Sequence, residues 1–139
     1  MMIRSFAPED QDAVVQLWKD CSLVVPWNDP QKDIQRKLKD GAELFLLGEL
    51  DKKIVASAMG GYEGHRGWIN YLAVTPAQQG KGYARQMVEN LEARLLALGC
   101  PKLNLQIRSS NVDVIHFYEA LGYKADACVS LGKRLIPDS

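Results

Sequence analysis

Between Trp68 and Leu98 the sequence changes period, and the joint between the two periods limits what the chain can become. Trp68 to Val74 reads as a strand that Pro76 ends. From about Lys81 to Leu98, Ala84, Met87, Val88, Leu91, Leu95 and Leu98 recur at helical spacing, and Gly99 followed by Pro101 stops the helix. The joint is Gln78-Gln79-Gly80-Lys81-Gly82-Tyr83-Ala84-Arg85. Its glycines let backbone approach a ligand closely. The first N–H groups of the helix have no partner inside it, and with the helix dipole they suit phosphate oxygens. A tight turn with a helix cap uses the same residues.

Two known phosphate loops are excluded on detail. A P-loop needs Ser or Thr after Gly-Lys, but Gly82 follows Lys81, and Thr75 stands where its first glycine belongs. A dinucleotide fingerprint needs a third glycine where Arg85 stands, on a βαβ unit, and here a run of three strands precedes the motif.

The remaining elements are legible from the same periods. Ile3 to Phe6 is a strand. Val14, Leu17, Trp18 and Cys21 share one face of a helix from Glu9 to Ser22. Asp29 caps a short helix with Pro30 at its first position; Ile34 and Leu38 form its apolar edge and Gly41 ends it. Glu43 to Leu50 and Lys53 to Met59 are strands with apolar residues on both faces, as in a sheet covered on both sides. Gly60-Gly61-Tyr62-Glu63-Gly64-His65-Arg66-Gly67 reads as a glycine-rich loop. Leu103, Leu105 and Ile107 alternate as a strand, Asn111 caps a helix that Gly122 closes, and Tyr123 to Ile136 is strand material. The order β-α-α-β-β-β-α-β-α-β(-β) describes one mixed α/β domain over residues 1–139, with helices against a central sheet.

Composition narrows the function. Seventeen basic and seventeen acidic residues cancel among the 139, whereas a domain built to hold duplex nucleic acid carries a basic excess. The N-terminus is interrupted by Arg4, Glu9 and Asp10 and has no signal core. No apolar run approaches the roughly 20 residues of a membrane span. The expected setting is cytoplasmic, with no membrane partner. Cys21, Cys100 and Cys128 include no CxxC pair and read as buried free thiols. No metal site is expected.

A second cluster lies downstream: Asn111 opens a helix, Phe117-Tyr118 follows, then Leu121-Gly122-Tyr123. Singly these are a cap, a core aromatic and a helix stop. Taken with Tyr71-Leu72-Ala73-Val74, Thr75-Pro76 and Gln79-x-x-Gly82-x-Ala84, they make the chain resemble the GNAT superfamily of N-acetyltransferases. Val25-Pro26-Trp27-Asn28-Asp29-Pro30, the Gly60–Gly67 segment and Ser130-Leu131-Gly132-Lys133-Arg134-Leu135 are similar to its small bacterial YpeA-type members. The resemblance spans essentially the whole chain.

What the resemblance implies is specific. The fold would be a mostly antiparallel sheet of six or seven strands with a splayed parallel pair, flanked by about four helices. Acetyl-CoA would be the cosubstrate. Leu72, Ala73 and Val74 would meet its pantetheine and acetyl group by backbone, with an N–H near Leu72 polarising the carbonyl. Gln79, Gly80, Lys81, Gly82, Tyr83, Ala84 and Arg85 would form the pyrophosphate loop. Asn111 would touch the pantetheine, and Tyr118 would serve the departing thiolate as acid or hydrogen-bond donor. Trp27, Asn28, Tyr62 and Glu63 would form the acceptor side, with Trp27 equally able to cap the core and Asp29 to be a helix cap.

Trp68-Ile69-Asn70-Tyr71 offers no carboxylate as general base. Glu63, His65 or a water relay remains, while His116 reads as a solvent-facing helix residue. Cys100 has no nearby histidine to make it a nucleophile. The reading is acetyl transfer to a primary amine, in a small molecule or a peptide, through a ternary complex. A non-catalytic acyl-CoA sensor is the alternative, and a homodimer is left open.

Overall fold

The computed structural model describes residues 1–138. The chain divides into two compact units, Met1–Leu105 with Asp138, and Gln106–Pro137.

The first unit holds β1 (Met2–Ser5), α1 (Gln11–Asp20), α2 (Pro30–Asp40), β2 (Phe45–Leu50), β3 (Lys53–Tyr62), β4 (Gly67–Val74), α3 (Tyr83–Ala97) and β5 (Leu103–Asn104). The strands form one sheet in the order β1-β2-β3-β4-β5. The first four run antiparallel to their neighbours; β4 and β5 are parallel, through Gly67↔Leu103 and Trp68↔Asn104 only.

Both sheet faces are covered, as the apolar strands require. On one face α1 brings Val14, Leu17 and Trp18, and α2 brings Ile34, against Phe6, Phe45, Leu47 and Ala73. Phe6 stacks on Phe45 with ring centroids 4.7 Å apart. On the other face α3 buries Met87, Val88, Leu91 and Leu95. Helix α2 starts as its sequence dictates: the Asp29 carboxylate accepts from the N–H groups of Gln31 and Lys32 at 3.0 and 3.1 Å, and Pro30 follows.

The second unit contains α4 (Val112–Ala120). Asn111 is its N-cap by position, but its side chain makes no capping bond. Tyr118 is buried, with its ring edge-on to Phe117 and Tyr123 at 5.0 and 5.2 Å.

Among the described residues four α-helices form as expected, with a sheet of five strands where six or seven were expected. The last is two residues long, and Tyr123 to Ile136 contains no strand. Strand-like sequence is not enough, because the backbone also needs a partner edge for its hydrogen bonds. Val129 and Leu131 are instead 83% and 92% exposed. The supposed glycine loop is also different. Gly60, Gly61 and Tyr62 complete β3 and Gly67 begins β4, which leaves residues 63–66 as the turn. Gly60 and Gly67 are packing residues. A Cβ on Gly67 would lie 2.9 Å from Cys100 Sγ and 3.1 Å from Leu95 Cδ1. Cys100 is buried and Cys21 half-buried, but Cys128 is exposed; all three are free thiols.

Candidate active site

Strand β4 is irregular at one point. Ser57 pairs with Ala73 and Met59 with Asn70, so Tyr71 and Leu72 together oppose Ala58. This is a β-bulge, which leaves one residue outside the ladder. Tyr71 takes a left-handed φ of 52° there, a cost a non-glycine residue bears only when its surroundings impose it.

Those surroundings are visible. The Tyr71 ring stacks on Trp18 at 3.7 Å and 10°. The buried Ser57 hydroxyl donates to the Tyr71 carbonyl at 2.7 Å and accepts from Trp18 Nε1 at 2.9 Å. Tyr71 Oη donates to Asp33 Oδ2 at 2.6 Å. Ring stacking, a backbone clamp and a side-chain bond therefore fix the bulge from three directions.

Downstream, β4 runs into the glycine loop. Gly80 and Gly82 have φ of 77° and 84°, and a Cβ on either would meet nothing within 4 Å. Their glycine requirement is conformational, and the space beside them is open. Gly82 caps α3 without a side chain, and the first helical bond joins Gln86 N–H to Gly82 O. The N–H groups of Tyr83, Ala84 and Arg85 precede that bond, which is the arrangement that receives phosphate oxygens. Two side chains of the loop are already engaged. Gln79 Nε2 donates to Val74 O at 2.9 Å and Lys81 Nζ to Gln78 Oε1 at 2.9 Å.

Beside the bulge, between α2 and β4, lies an open cavity of about 550 Å³, bounded by Asn28, Asp33, Arg36, Lys37, Asn70 and Tyr71 among others. Asn70 and Tyr71 both reach it although they are adjacent in sequence, because the bulge breaks the strand's alternation. Arg36 is held by Asp138 through two hydrogen bonds of 2.9 and 3.0 Å and lies 3.5 Å from Asp33. Lys37 pairs with Asp40 at 3.0 Å. Burial first, then the bond to Asp33, raises the Tyr71 phenol well above its usual pKa. The more distant charges of Asp138 and Asp29 act in the same direction.

The expected site residues are distributed unevenly. Leu72, Ala73, Val74, Gln79, Gly80, Lys81, Gly82, Tyr83, Ala84 and Arg85 form one continuous strand–loop–helix run of the first unit. Asn111 and Tyr118 belong to the second. Burial raises the Tyr118 phenol above its usual pKa. Of the acceptor-side candidates, Asn28 bounds the cavity, whereas Trp27, Tyr62 and Glu63 do not. Tyr62 Oη turns to the carbonyls of Gly64 and Gly99 at 3.2 and 3.4 Å. Glu63 and His65 are exposed in the β3–β4 turn. Asp29 is a helix cap.

The sequence reading passed over Asp33 and gave Tyr71, quoted within the strand motif, no role of its own. A signal for Asp33 existed: counted from the Asp29-Pro30 cap, Asp33, Arg36, Lys37 and Asp40 share one helix face, and that face is charged. Among the described residues no three His, Cys, Asp or Glu side chains gather so as to hold a metal ion, and no helix is long and apolar enough to cross a membrane.

Strand β4, broken by its bulge, thus leads directly into a helix whose first N–H groups have no partner within it. The model of the acetyltransferase (GNAT) family matches residues 12–123, and the chain belongs to that family. It is 49% identical over 138 residues to an acetyltransferase of Pectobacterium atrosepticum, covering 99% of this chain and 98% of that one. It is thus similar to small bacterial acetyltransferases of the YpeA type. Ard1 from Thermoplasma volcanium shares the fold with a TM-score of 0.81 at 20% identity, over 91% of this chain and 84% of that one. An acetyltransferase of Clostridium acetobutylicum, solved with acetyl-CoA, shares it with a TM-score of 0.71 at 18% identity, over 94% and 95%.

Proposed function

We propose that residues 1–139 act as one N-acetyltransferase domain that moves the acetyl group of acetyl-CoA to a primary amine by direct attack in a ternary complex. The β4 bulge carries this reading. It sets a strand residue outside the ladder directly upstream of the open helix N-terminus, so one run of backbone offers donors for a carbonyl and for phosphates.

Asn28 and the α2–β4 cavity receive the acceptor. Its neutral nitrogen attacks the thioester carbonyl carbon, a C–N bond forms, and the C–S bond breaks. An N–H at the bulge, near Leu72, stabilises the negative charge gathering on the carbonyl oxygen. The amine's surplus proton leaves through water in the open cavity, and CoA departs as a thiol. Tyr118 we assign to the sulfur. Its phenol is protonated at neutral pH, gives its proton to the sulfur as the C–S bond breaks, and regains one from the water that receives the amine's proton. The products are the acetamide and free CoA.

The test is release of CoA from acetyl-CoA in the presence of a panel of primary amines. Amine-dependent release supports the proposal. Tight acetyl-CoA binding with no release for any amine would favour a non-catalytic acyl-CoA sensor.

A further inference from the structure

The cavity beside the bulge has one carboxylate whose position is over-determined. Asp33 Oδ2 accepts from Tyr71 Oη at 2.6 Å, and Tyr71 is itself held by Trp18 and Ser57. Asp33 Oδ1 lies 3.5 Å from Arg36, too far for a strong hydrogen bond. Arg36 spends its fork on Asp138, and Lys37 pairs with Asp40. A carboxylate has about four acceptor sites, so Asp33 keeps capacity for a further donor. Arg36 bonds Asp138 closely and reaches Asp33 as a longer ion pair, and Lys37 pairs with Asp40; of these three carboxylates Asp33 is the one held least closely by a cation.

The geometry also supplies a length. Tyr71 spans from the bulge, where the carbonyl chemistry is placed, to the Asp33 carboxylate. A molecule lying along that side chain reaches both ends if it is about one tyrosine long. A nitrogen that attacks a thioester must be neutral, whereas a nitrogen bound to a carboxylate is best charged. The two ends therefore ask for two different nitrogens.

We propose that Asp33 is the specificity residue of the acceptor site, that its carboxylate takes the distal ammonium of a diamine, and that the other, neutral nitrogen of that diamine is the one acetylated. This rests on the acetyl-transfer reading above. Tyr71 is a positioning residue: it touches the acceptor's anchor, Asp33, and fixes where the ammonium sits. The atoms balance as for any amine, since the anchored nitrogen gains and loses nothing.

The experiment compares 1,4-diaminobutane with butylamine, which has the same chain and lacks the second charge. A charge-assisted hydrogen bond predicts a preference in kcat/KM for the diamine of about 10- to 100-fold, expressed in KM. Asp33→Asn should bring the ratio near one, Asp33→Glu should restore part of it, and Tyr71→Phe should lower it through KM. Acetyl-CoA binding and the thermal melting curve of each variant report that the protein is folded. Calorimetric titration of 1,4-diaminobutane into the CoA-bound protein gives a reading independent of turnover, and Asp33→Asn should weaken that binding. Failure to bind the diamine, or an equal ratio in wild type and Asp33→Asn, overturns the inference. If acetyl-CoA binds and butylamine is acetylated in those same experiments, acetyl transfer stands without it. Absence of acetyl-CoA binding would remove both.

Discussion

A Cβ placed on Gly60 would lie 2.4 Å from Leu91 Cδ1 and 3.0 Å from the carbonyl oxygen of Leu44. Helix α3 therefore rests on β3 at a point where no side chain fits. Leu91 is fully buried and the Leu44 carbonyl is backbone, so neither can yield freely. Gly60→Ala should cost about 1–3 kcal/mol, the range for overpacking a filled core. Urea denaturation measures it, and a loss near zero would show that α3 shifts freely.

Acid stability should follow Asp10. Arg4 grips both of its carboxylate oxygens at 2.7 and 2.8 Å and also bonds Glu49. The Arg4 hydrogen bonds hold the Asp10 carboxyl below its usual pKa. A depressed pKa stabilises the fold fully above the unfolded value of about 3.9, and the contribution fades as pH falls through the folded value. Asp10→Asn should cost roughly 1–3 kcal/mol at neutral pH. Its Tm should approach that of the wild type as pH drops below about 4. A gap constant from pH about 7 to 3 would contradict this assignment.

Gly82 separates strain from charge. With φ at 84° and free space around it, Gly82→Ala should cost only backbone strain, about 1–2 kcal/mol. Gly82→Asp adds a negative side chain where phosphate oxygens are to sit, and should abolish acetyl-CoA binding in a folded protein. Calorimetric affinity equal to the wild type in that variant would remove the loop from the binding site.

Tyr118→Phe keeps the ring against Phe117 and Tyr123 and removes the hydroxyl. A group that serves the leaving thiolate is worth about 10²–10⁴-fold in rate. kcat should fall on that scale, with acetyl-CoA affinity and Tm little changed. A kcat within about threefold of wild type would return Tyr118 to a core role, on the scale expected of such donors. So would a Tm falling together with kcat.

Helices were the legible part of this chain, because their signals are local. Asp29-Pro30 announces α2, and the Met87–Leu95 stripe announces α3, within a few residues of sequence. The β4 bulge was not legible at Tyr71. Nothing in a tyrosine marks a left-handed backbone, and the causes, Trp18, Ser57 and Asp33, lie 53, 14 and 38 positions away along the chain. Gly60 and Gly67 misled for a related reason, since a glycine needed for helix packing looks the same as one needed for a turn. Tyr123 to Ile136 misled because strand material in one segment says nothing of a partner edge.

The Ser57 hydroxyl joins Trp18 of α1 to the Tyr71 carbonyl of β4, and this gives the protein an uneven tolerance to change. Hydrophobic cores ordinarily accept drift, one aliphatic residue replacing another while distant chemistry proceeds. Here a change in the tilt of an indole ring is relayed through a single oxygen atom to the backbone at the bulge. The interior of this chain and its bulged strand are thus constrained to vary together.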